Sequence, residues 1–331
     1  MIHLTGKDSF VIYHDNNSRK NKLFLGKWSL LKSLNSVEES SFICNVFNKE
    51  SYIISGGPKN INDEITIQNP IFIDDVATKK EDYLNSINKT IEYCKTNVLE
   101  KCIISRIVKA PFESHNYYHV FQNLCNFNKE GFKYLLNHPK LGMWMGISPE
   151  TLLHGSMEKD FYTQALAGSK LNNQSLNWTD KEIQEHQFVV EFIKDKIKEN
   201  GILNHESATY DKLAGEVMHL NKDFKFSLKT NYFSFIDSLH PTPAIAGIPL
   251  DKSIKFISDI EPHERSFYSG YLGLVDSKSC ELYVNLRCAR ISSKEFQAFV
   301  GGGITKQSQP IDEYNETQIK SQTILTAIKK R

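Results

Sequence analysis

Residues 281–320 read ELYVNLRCARISSKEFQAFVGGGITKQSQPIDEYNETQIK and are the most informative part of the chain for its architecture. The runs 281–291 and 296–300 are rich in apolar and aromatic residues at alternating positions, which predicts strands. Pro310 then begins a polar segment with helical periodicity. Because proline is tolerated in the first helical turn, a final helix is predicted over 311–329. Neighbouring strands followed by a helix, without a regular βαβ alternation, are typical of an α+β fold.

The rest of the chain also groups its strands and helices in clusters. Apolar residues recur three and four positions apart over 80–97, and again after the capping-box pattern Thr179-x-x-Glu182, which ends at Asn200-Gly201. The other predicted segments are strands at 9–13, 70–73, 101–108 and 271–275, short strands over 144–167, a polar connection after residue 201, a Pro/Gly loop at 239–249 and a helix at 251–261. Together they predict an α+β class with sheets packed around helices.

Composition and charge limit the classes of function. The chain has 331 residues, 40% apolar and 24% charged, with no linker-like segment, so a single large domain is predicted. With 40 Lys and Arg against 39 Asp and Glu, there is no net field to attract nucleic acid or an anionic membrane. A small-molecule partner is therefore favoured.

The same sequence predicts a cytoplasmic protein. Its first ten residues lack the basic flank and apolar stretch of a signal peptide, and no apolar run approaches the ~18–20 residues that span a bilayer. The six cysteines include no C-x-x-C pair, so neither a zinc site nor a redox dithiol is indicated. We expect reduced thiols in the core.

Two predicted helices carry carboxylates three residues apart, Glu182 with Glu185 and Glu313 with Glu316. Residues at this spacing share a helix face, and hard oxygen ligands suit Mg²⁺. Ordinary explanations exist as well, because Glu182 fits the capping box and Glu313 suits the amino-terminal end of a helix dipole. Spacing alone therefore leaves a magnesium site and a solvated helix face both open.

Three further features suit an anionic ligand. The alternating strand predicted over 281–287 puts Arg287 on one face with Tyr283 and Asn285, where it is available to hold a carboxylate through two parallel hydrogen bonds. The triplet Gly301-Gly302-Gly303 allows backbone N–H groups to approach an anion, and Lys320 follows Glu316 by four residues. A surface arginine, a sheet bend and a helix-surface ion pair explain these features as well.

Several short motifs follow one another in a specific order and spacing. They are Lys101-Cys-Ile-Ile-Ser-Arg106, Ser148-Pro149-Glu150, Ala165-Leu166-Ala167-Gly168-Ser169, Glu182-x-x-Glu185-His186, Leu239-His240-Pro241-Thr242-Pro243-Ala244, the segment with Arg287, Gly301-Gly302-Gly303-Ile304 and Ser308-x-Pro310-x-x-Glu313-x-x-Glu316-x-x-x-Lys320. In this order they resemble the chorismate-utilising enzyme family over roughly residues 80–331.

The resemblance implies one large α+β domain in which two β-sheets pack as a sandwich flanked by helices. Residues 1–75 are then N-terminal strands of the same fold, and residues 76–331 form the chorismate-binding catalytic region. It also implies Mg²⁺ as the cofactor, bound by carboxylates from two helices. These are Glu185 and Glu316 as direct ligands, with Glu182 and Glu313 beside them directly or through water.

The same resemblance implies that the substrate is the dianion chorismate and assigns its contacts. Arg287, Lys320 and the backbone of the glycine triplet Gly301-Gly302-Gly303 are the implied partners of its carboxylates. Ser169 and His240 are the implied polar groups near its ring.

The residue at position 101 distinguishes the members of this family by their nucleophile. Water needs a base where ammonia does not, and the resemblance implies that Lys101 indicates a water-using member, whereas anthranilate synthases carry glutamine there. Aminodeoxychorismate synthases have a lysine nucleophile at the place of Ala167. The chain is therefore most similar to isochorismate synthases, isomerases of menaquinone or siderophore biosynthesis, and no glutaminase subunit is expected.

Three alternatives stay open at this point. A salicylate synthase makes isochorismate and then eliminates pyruvate in the same site, and sequence separates it poorly from a simple synthase. An anthranilate synthase component I is disfavoured by Lys101. A catalytically inactive chorismate-binding protein is disfavoured by the intact set of candidate residues. The choice between menaquinone and siderophore pathways is also open.

The implied reaction adds water at C2 of chorismate and expels the C4 hydroxyl. Lys101 is the implied base, so burial or a nearby cation is expected to favour its neutral form. Glu150 is the implied general acid, so desolvation or neighbouring carboxylates are expected to keep it protonated. Mg²⁺ is expected to hold the ring carboxylate and to stabilise charge that spreads into it.

Three positions depart from the family pattern. Ser169 stands where threonine is commoner, and Gln164 where glutamate is common. The third is Arg265-Ser266-Phe267-Tyr268, where Arg-Gly-Trp-Tyr or Arg-Gly-Ala-Tyr is expected. None of them removes a named catalytic group, so we expect effects on rate or substrate fit.

Overall fold

The structure is a computed structural model, and it describes residues 1–31, 37, 39–71, 73, 75–112, 116–127, 130–171, 177–215 and 217–329. The helices in these ranges are α1 (Lys80–Lys95), α2 (Tyr117–Phe127), α3 (Asp180–Asn200), α4 (Tyr232–Leu239), α5 (Leu250–Ile260) and α6 (Pro310–Lys329). The strands are β1 (Ile2–Thr5), β2 (Ser9–Asp15), β3 (Lys20–Gly26), β4 (Ser29–Leu30), β5 (Ser41–Asn45), β6 (Ser51–Ser55), β7 (Lys59–Asn60), β8 (Ile65–Gln68), β9 (Lys101–Pro111), β10 (Phe132–His138), β11 (Gly142–Ser148), β12 (Thr151–Ser156), β13 (Phe161–Leu171), β14 (Gly201–Glu206), β15 (Tyr210–Ala214), β16 (Val217–Leu228), β17 (Gly247–Ile248), β18 (Tyr271–Val275), β19 (Ser279–Val284), β20 (Cys288–Ile291) and β21 (Glu295–Ile304).

These strands form two large antiparallel sheets and one small parallel pair. The nine-stranded sheet has the order β17-β9-β21-β20-β11-β10-β2-β3-β7. The ten-stranded sheet has the order β14-β16-β13-β12-β19-β18-β5-β6-β4, with β15 also paired to β16. Strands β1 and β8 form the parallel pair. The chain passes from one large sheet to the other between β11 and β12 and again between β19 and β20, so both sheets belong to one unit.

Aromatic side chains fill the space between the two large sheets. Phe132 of the nine-stranded sheet stacks on Tyr283 of the ten-stranded sheet, with ring centroids 4.6 Å apart and planes at 11°. Phe132 also stacks on Tyr13 and on Phe42, at 5.9 Å and 6.3 Å. Burying such large side chains is the main favourable contribution to folding, and stacked ring pairs add to it. The two sheets are therefore packed as a sandwich.

Helices complete the core on both sheets. Val189 and Ile193 of α3 pack with Phe224 of β16, while Phe121 of α2 and Ile324 of α6 belong to a separate cluster on the nine-stranded sheet. Helix α3 lies on β13 and β16, and α6 lies on β21. The two helices that carry the predicted metal ligands therefore each pack on a different sheet.

The start and end of α3 follow from local chemistry. The Thr179 backbone N–H donates to Glu182 Oε2 at 3.1 Å, and the Thr179 hydroxyl contacts the same oxygen. This reciprocal capping box satisfies N–H groups that have no partner within the helix. At the other end the Gly201 N–H bonds to the Ile197 carbonyl. The predicted capping box and helix stop are both confirmed.

Most predicted elements and the fold class are confirmed. The chain has the predicted α+β class, with two sheets packed as a sandwich and flanked by helices. The helices predicted at 80–97, 251–261 and 311–329 are α1, α5 and α6, each within two residues of the predicted bounds. The strand predicted at 101–108 is β9, which continues to Pro111.

Four predictions of local structure are wrong. The segment after residue 201 is not a polar connection, because it contains β14, β15, β16 and α4; the first two lie along β16 at the sheet edge, where polar side chains are tolerated. The strand predicted over 281–291 breaks after Val284, where the chain changes sheets. The glycine triplet lies inside β21 rather than after it. Of the strand predicted at 70–73, the described residues 70, 71 and 73 are not in a strand, and Phe72 lies outside the described residues.

Two other expectations concern membrane-spanning helices and the cysteine thiols. Among the described helices, none is long and apolar enough to cross a lipid bilayer. All the cysteines except the half-buried Cys125 are buried, so the predicted place in the core is confirmed for five of the six.

Candidate active site

A cavity lies between the two sheets where α3 and α6 approach each other. It contains about 860 Å³ of empty space, part of which is open to solvent. Strands β9 and β21 of one sheet, β13 and β16 of the other, and both helices contribute to its wall. The charged side chains and the histidine that line it are Lys101, Glu150, Lys181, Glu182, Glu185, His219, Arg287, Glu313, Glu316 and Lys320. So many ionisable groups in one enclosed space make this cavity the candidate active site.

Two adjacent crossovers between the sheets hold Glu150 and Arg287 in the cavity wall. Glu150 lies between β11 and β12, and Arg287 lies between β19 and β20. The crossovers are side by side because β11 pairs with β20 and β12 pairs with β19. Backbone hydrogen bonds join them, from the Val284 N–H to the Glu150 carbonyl at 3.0 Å and from the Ile147 N–H to the Arg287 carbonyl at 3.2 Å. Both residues are therefore fixed to one hydrogen-bonded backbone unit.

The Glu150 carboxyl is buried in a way that favours its protonated form. Only 3% of the residue is exposed. Burial raises the pKa of Glu150 to about 8, although the cations of Lys212 and Lys101 act in the opposite direction. A carboxyl with this pKa holds its proton at pH 7 and can donate it to a leaving group. This agrees with the form expected of a general acid.

Lys101 is the most buried cation of the cavity wall, with 2% of its surface exposed. It opens β9, and its Nζ lies 3.4 Å from Glu185 Oε1. Lys101 and Glu185 therefore form an ion pair inside the cavity wall.

Three carboxylates form an acidic wall, defined here as Glu185, Glu313 and Glu316. Each has a lysine partner: Lys320 Nζ lies 2.5 Å from Glu316, and Lys181 contacts Glu313. Burial raises the pKa of Glu313 to about 7, with Lys181 opposing this shift and Glu316 reinforcing it. Burial acts on Glu316 in the same direction, but the Lys320 ammonium holds its pKa below the ordinary value. The wall is thus electrostatically coupled.

The acidic wall fits magnesium by its chemistry. Carboxylate oxygens from two helices are the ligands that Mg²⁺ prefers, and they border the cavity that would hold an anionic substrate. Among the described residues, however, no three His, Cys, Asp or Glu side chains converge closely enough to enclose a metal ion. The lysine partners explain this arrangement, because each carboxylate is turned toward its own ammonium group. A bound cation would have to replace those lysines.

Glu182 differs from the acidic wall in its bonding. It lines the cavity, but its Oε2 accepts the Thr179 backbone N–H at 3.1 Å as part of the capping box. In this structure the Glu182 carboxylate therefore caps the start of α3. Its role beside the metal stays a prediction.

The glycine triplet gives the acidic wall its space. A Cβ on Gly303 would collide with the Glu185 carboxylate and would lie 2.9 Å from Lys101 Cε, and a Cβ on Gly302 would lie 3.4 Å from Glu313 Oε2. The absence of side chains therefore lets β21 approach these groups closely. Binding of substrate by the backbone N–H groups of the triplet stays a prediction.

Arg287 is held by two polar side chains. Its Nη1 donates to Thr323 Oγ1 at 2.9 Å, and its Nη2 donates to His219 Nε2 at 3.2 Å. Burial lowers the pKa of Arg287 to about 10, so it stays charged at neutral pH. The His219 Nδ1 donates to the Gly168 carbonyl at 2.8 Å. Burial and the charge of Arg287 lower the pKa of His219 to about 3, which keeps this histidine neutral and able to accept from the arginine.

The other predicted substrate contacts divide into two groups. Ser169 lines the cavity, with its Oγ 3.3 Å from His219 Nδ1, and Lys320 Nζ donates to the Gly301 carbonyl at 3.2 Å. His240 is not among the described residues that line the cavity, but its Nε2 lies 3.0 Å from the carbonyl of Ser269, which does line it. A place for His240 near the substrate ring stays a prediction.

Similarity to known proteins identifies the family to which this chain belongs. The sequence profile of the family described as Chorismate binding enzyme matches residues 31–329, which is most of the chain. The chain belongs to the chorismate-binding enzyme family. The isochorismate synthase EntC of Escherichia coli strain K12 is 30% identical over 198 residues, which cover 56% of this chain. The matched part spans only 50% of the length of EntC.

Two solved structures share the fold of this chorismate-binding protein. DhbC of Bacillus anthracis has a TM-score of 0.80 at 22% identity, covering 98% of this chain and 97% of that one. MenF of Escherichia coli, a menaquinone-specific isochorismate synthase, has a TM-score of 0.79 at 19% identity, covering 97% and 88%. At these identities the likeness concerns the fold alone.

Two residues of the site had no place in the sequence prediction. His219 lies on β16, in the segment interpreted as a polar connection, so no strand pattern indicated that it faces a cavity. Lys181 precedes the predicted ligand Glu182 by one residue, but the sequence does not indicate that it pairs with Glu313 of α6. Contacts of this kind are made only when α3 and α6 come together.

Proposed function

We propose that this chorismate-binding protein is an isochorismate synthase, an Mg²⁺-dependent isomerase that adds water at C2 of chorismate and expels the C4 hydroxyl. The observation that carries the proposal is the pairing of Lys101 with Glu150 in one cavity: the carboxyl is protonated at neutral pH, and the lysine is buried beside a carboxylate. Water addition and hydroxide loss need one base and one acid. The isochorismate synthases among its relatives support the same reaction.

In this proposal each proton transfer has a named atom. Lys101 Nζ accepts a proton from the water that attacks C2, and the Glu150 carboxyl gives its proton to the hydroxyl that leaves from C4. One water is added at C2 and one is released from C4, so the reaction is an isomerisation with no net consumption of water. A proton must then return from Lys101 to Glu150, through solvent, before the next turnover. General acid and base groups of this kind typically contribute about 10²–10⁴-fold each.

The cations of the cavity suit a dianionic substrate. The Arg287 guanidinium is held by His219 and Thr323, so its orientation toward a carboxylate is set in advance. Lys320 supplies a second cation on α6. Mg²⁺ bound by the acidic wall would supply a positive charge for the ring carboxylate.

The product is the first test of this proposal. Purified protein incubated with chorismate and Mg²⁺ is expected to give a reversible mixture of chorismate and isochorismate. Lys101 supports the use of water, and Ala167 lacks an amine that could attack the ring. Added ammonium is therefore expected to give no anthranilate. Chromatography of the products, with and without ammonium, measures both outcomes.

The other family activities give different products in the same assay. Stoichiometric pyruvate from freshly purified protein at neutral pH would assign a salicylate synthase instead. Anthranilate formed with ammonium would assign an ammonia-using enzyme, and chorismate binding without any product would leave a binding protein. Glu150→Gln serves as the control, because isochorismate formed by a contaminant would not respond to this change.

The rate is expected to depend on the proton of Glu150. Because deprotonation removes the group that Glu150 must deliver, kcat should fall as the pH rises through about 8. For a single ionisation the decline is about tenfold for each further pH unit. Initial rates at saturating chorismate between about pH 6 and pH 10 measure this alkaline limb.

Matched variants identify the group whose ionisation makes kcat fall at alkaline pH. Glu150→Gln has no proton to lose, so its residual rate should not fall above pH 8. Glu158→Gln removes an exposed carboxylate that is paired with Lys278 on the surface, and its profile should equal that of the unaltered protein. A limb retained in Glu150→Gln would mean that another group supplies the proton.

A further inference from the structure

A second cavity, called here the outer cavity, lies against the active site. Pro149 and Arg287 line both cavities, so they form part of the partition between them. The outer cavity contains about 1310 Å³ of empty space, partly open to solvent. Lys212 of β15 lines the outer cavity and is not among the described residues that line the active site.

Lys212 is held by an uncharged partner that also reaches the backbone next to the general acid. Its Nζ donates to Gln164 Oε1 at 2.7 Å, and Gln164 Nε2 donates to the Pro149 carbonyl at 3.1 Å. Pro149 immediately precedes Glu150. Gln164 is 2% exposed, so this bridge is made in the interior. Because the Gln164 amide is neutral, it orients the Lys212 charge without cancelling it.

The charges around this pair come from four neighbouring segments. Lys212 has the larger cationic influence on Glu150, and Lys101 of β9 has the smaller one. Burial lowers the pKa of Lys212, and three carboxylates act against that effect. They are Asp223 of β16, Glu150 itself and Glu130, which follows α2. Of these three, Glu130 lines the outer cavity and Glu150 lines the active site.

We propose that Lys212, oriented by Gln164, is a positioning residue that sets the acid strength of Glu150 from the outer cavity. The inference rests on the proposed function, in which Glu150 donates a proton to the leaving hydroxyl. A buried carboxyl without a nearby cation holds its proton more tightly and gives it up less readily. Lys212 offsets that effect without occupying the space of the substrate.

Substitutions of Lys212 and Gln164 test this inference through the pH dependence of kcat. Lys212→Met removes the cation and is expected to move the alkaline limb of kcat upward by about one pH unit. Gln164→Glu should move it in the same direction, because the new carboxylate cancels the Lys212 charge. Lys212→Arg keeps the charge and should leave the limb within about 0.3 unit of its original position. KM for chorismate should change less than about twofold in all three.

A second readout needs no activity. The infrared band of a protonated carboxyl that disappears in Glu150→Gln belongs to Glu150, and its titration without chorismate should move upward in Lys212→Met by the same amount as the limb. The matched control is Lys225→Met, which removes an exposed cation from β16 of the same sheet and should leave the band unchanged. An inactive protein with the expected infrared shift would overturn the proposed function and support this inference.

Three results would overturn the inference itself. The first is an unchanged infrared titration in Lys212→Met, whether or not the protein makes isochorismate. The second is an equal shift in Lys225→Met, since the effect would then be a general consequence of net charge. The third is the same shift in Lys212→Arg as in Lys212→Met, because an effect of charge does not distinguish the two cations.

Discussion

Lys101→Gln is expected to lower kcat for isochorismate formation by about 10²–10⁴-fold, with a far smaller change in KM for chorismate. The change removes the only group in the proposal that accepts a proton from water. It leaves Arg287 in the wall, and a glutamine side chain can still donate a hydrogen bond to Glu185, which now lies 3.4 Å from the lysine. Steady-state kinetics at saturating Mg²⁺ separate the two parameters.

A control on the same strand distinguishes a lost base from a disturbed strand. Lys109→Gln lies toward the other end of β9, where Lys109 pairs with Glu295 at 2.8 Å, and it should retain the original kcat. Lys101→Gln also imitates the glutamine of ammonia-using relatives, so a trace of amination with ammonium would strengthen the assignment. If Lys101→Ala keeps more than about a tenth of kcat, Lys101 is not the base.

The helices of the site could be predicted from sequence because their signals are local. Helical periodicity, a capping box and a glycine stop define α3 within a few residues of chain, and Pro310 marks the start of α6. A spacing of three within each helix is enough to place Glu185 near Glu182 and Glu316 near Glu313. The meeting of the two helices in one cavity is not local, and only the family resemblance indicated it.

The crossovers show where a local pattern misleads. Alternation continues through Val284, so the sequence predicts an uninterrupted strand to Arg287. In the structure Arg287 has a φ of 45°, in the left-handed region, and the chain turns there toward the other sheet. That turn depends on β11 and β20 pairing across a sequence distance of about 140 residues, and no short-range pattern reports such a pairing. The arginine was predicted to face a site, but for the wrong geometric reason.

Two residues of the ten-stranded sheet are the remaining omissions. Lys212 lies on the edge strand β15, and such strands carry polar side chains on much of their surface, so their composition resembles that of a loop. His219 lies on β16, which pairs with β13 as well as with β15 and is therefore not an edge strand. Both side chains are hydrogen-bonded to partners on other elements: His219 to Arg287, and Lys212 to Gln164. Long-range contacts of this kind appear once the sheet is assembled.

Removal of divalent cations is expected to abolish turnover, and Mg²⁺ is expected to restore it. The acidic wall is the reason, because a dianionic substrate next to Glu185, Glu313 and Glu316 is disfavoured unless a cation lies between them. Glu185→Gln and Glu316→Gln are each expected to weaken Mg²⁺ binding by at least about 10–100-fold, the loss typical of weaker, indirect contacts to a metal. Activity after chelation and Mg²⁺ titration calorimetry in the presence of chorismate measure the two effects.

The variants within this set separate metal binding from other roles of the same carboxylates. Glu191→Gln, on the exposed part of α3, is the matched control and should bind Mg²⁺ normally. Glu182→Ala removes the side-chain acceptor of the Thr179 N–H, so a loss of about 1 kcal/mol in the free energy of unfolding without a change in Mg²⁺ affinity would identify Glu182 as a cap rather than a ligand. Full activity after exhaustive chelation would remove the metal from the mechanism, and a normal Mg²⁺ response in Glu185→Gln or Glu316→Gln would show that other groups bind it.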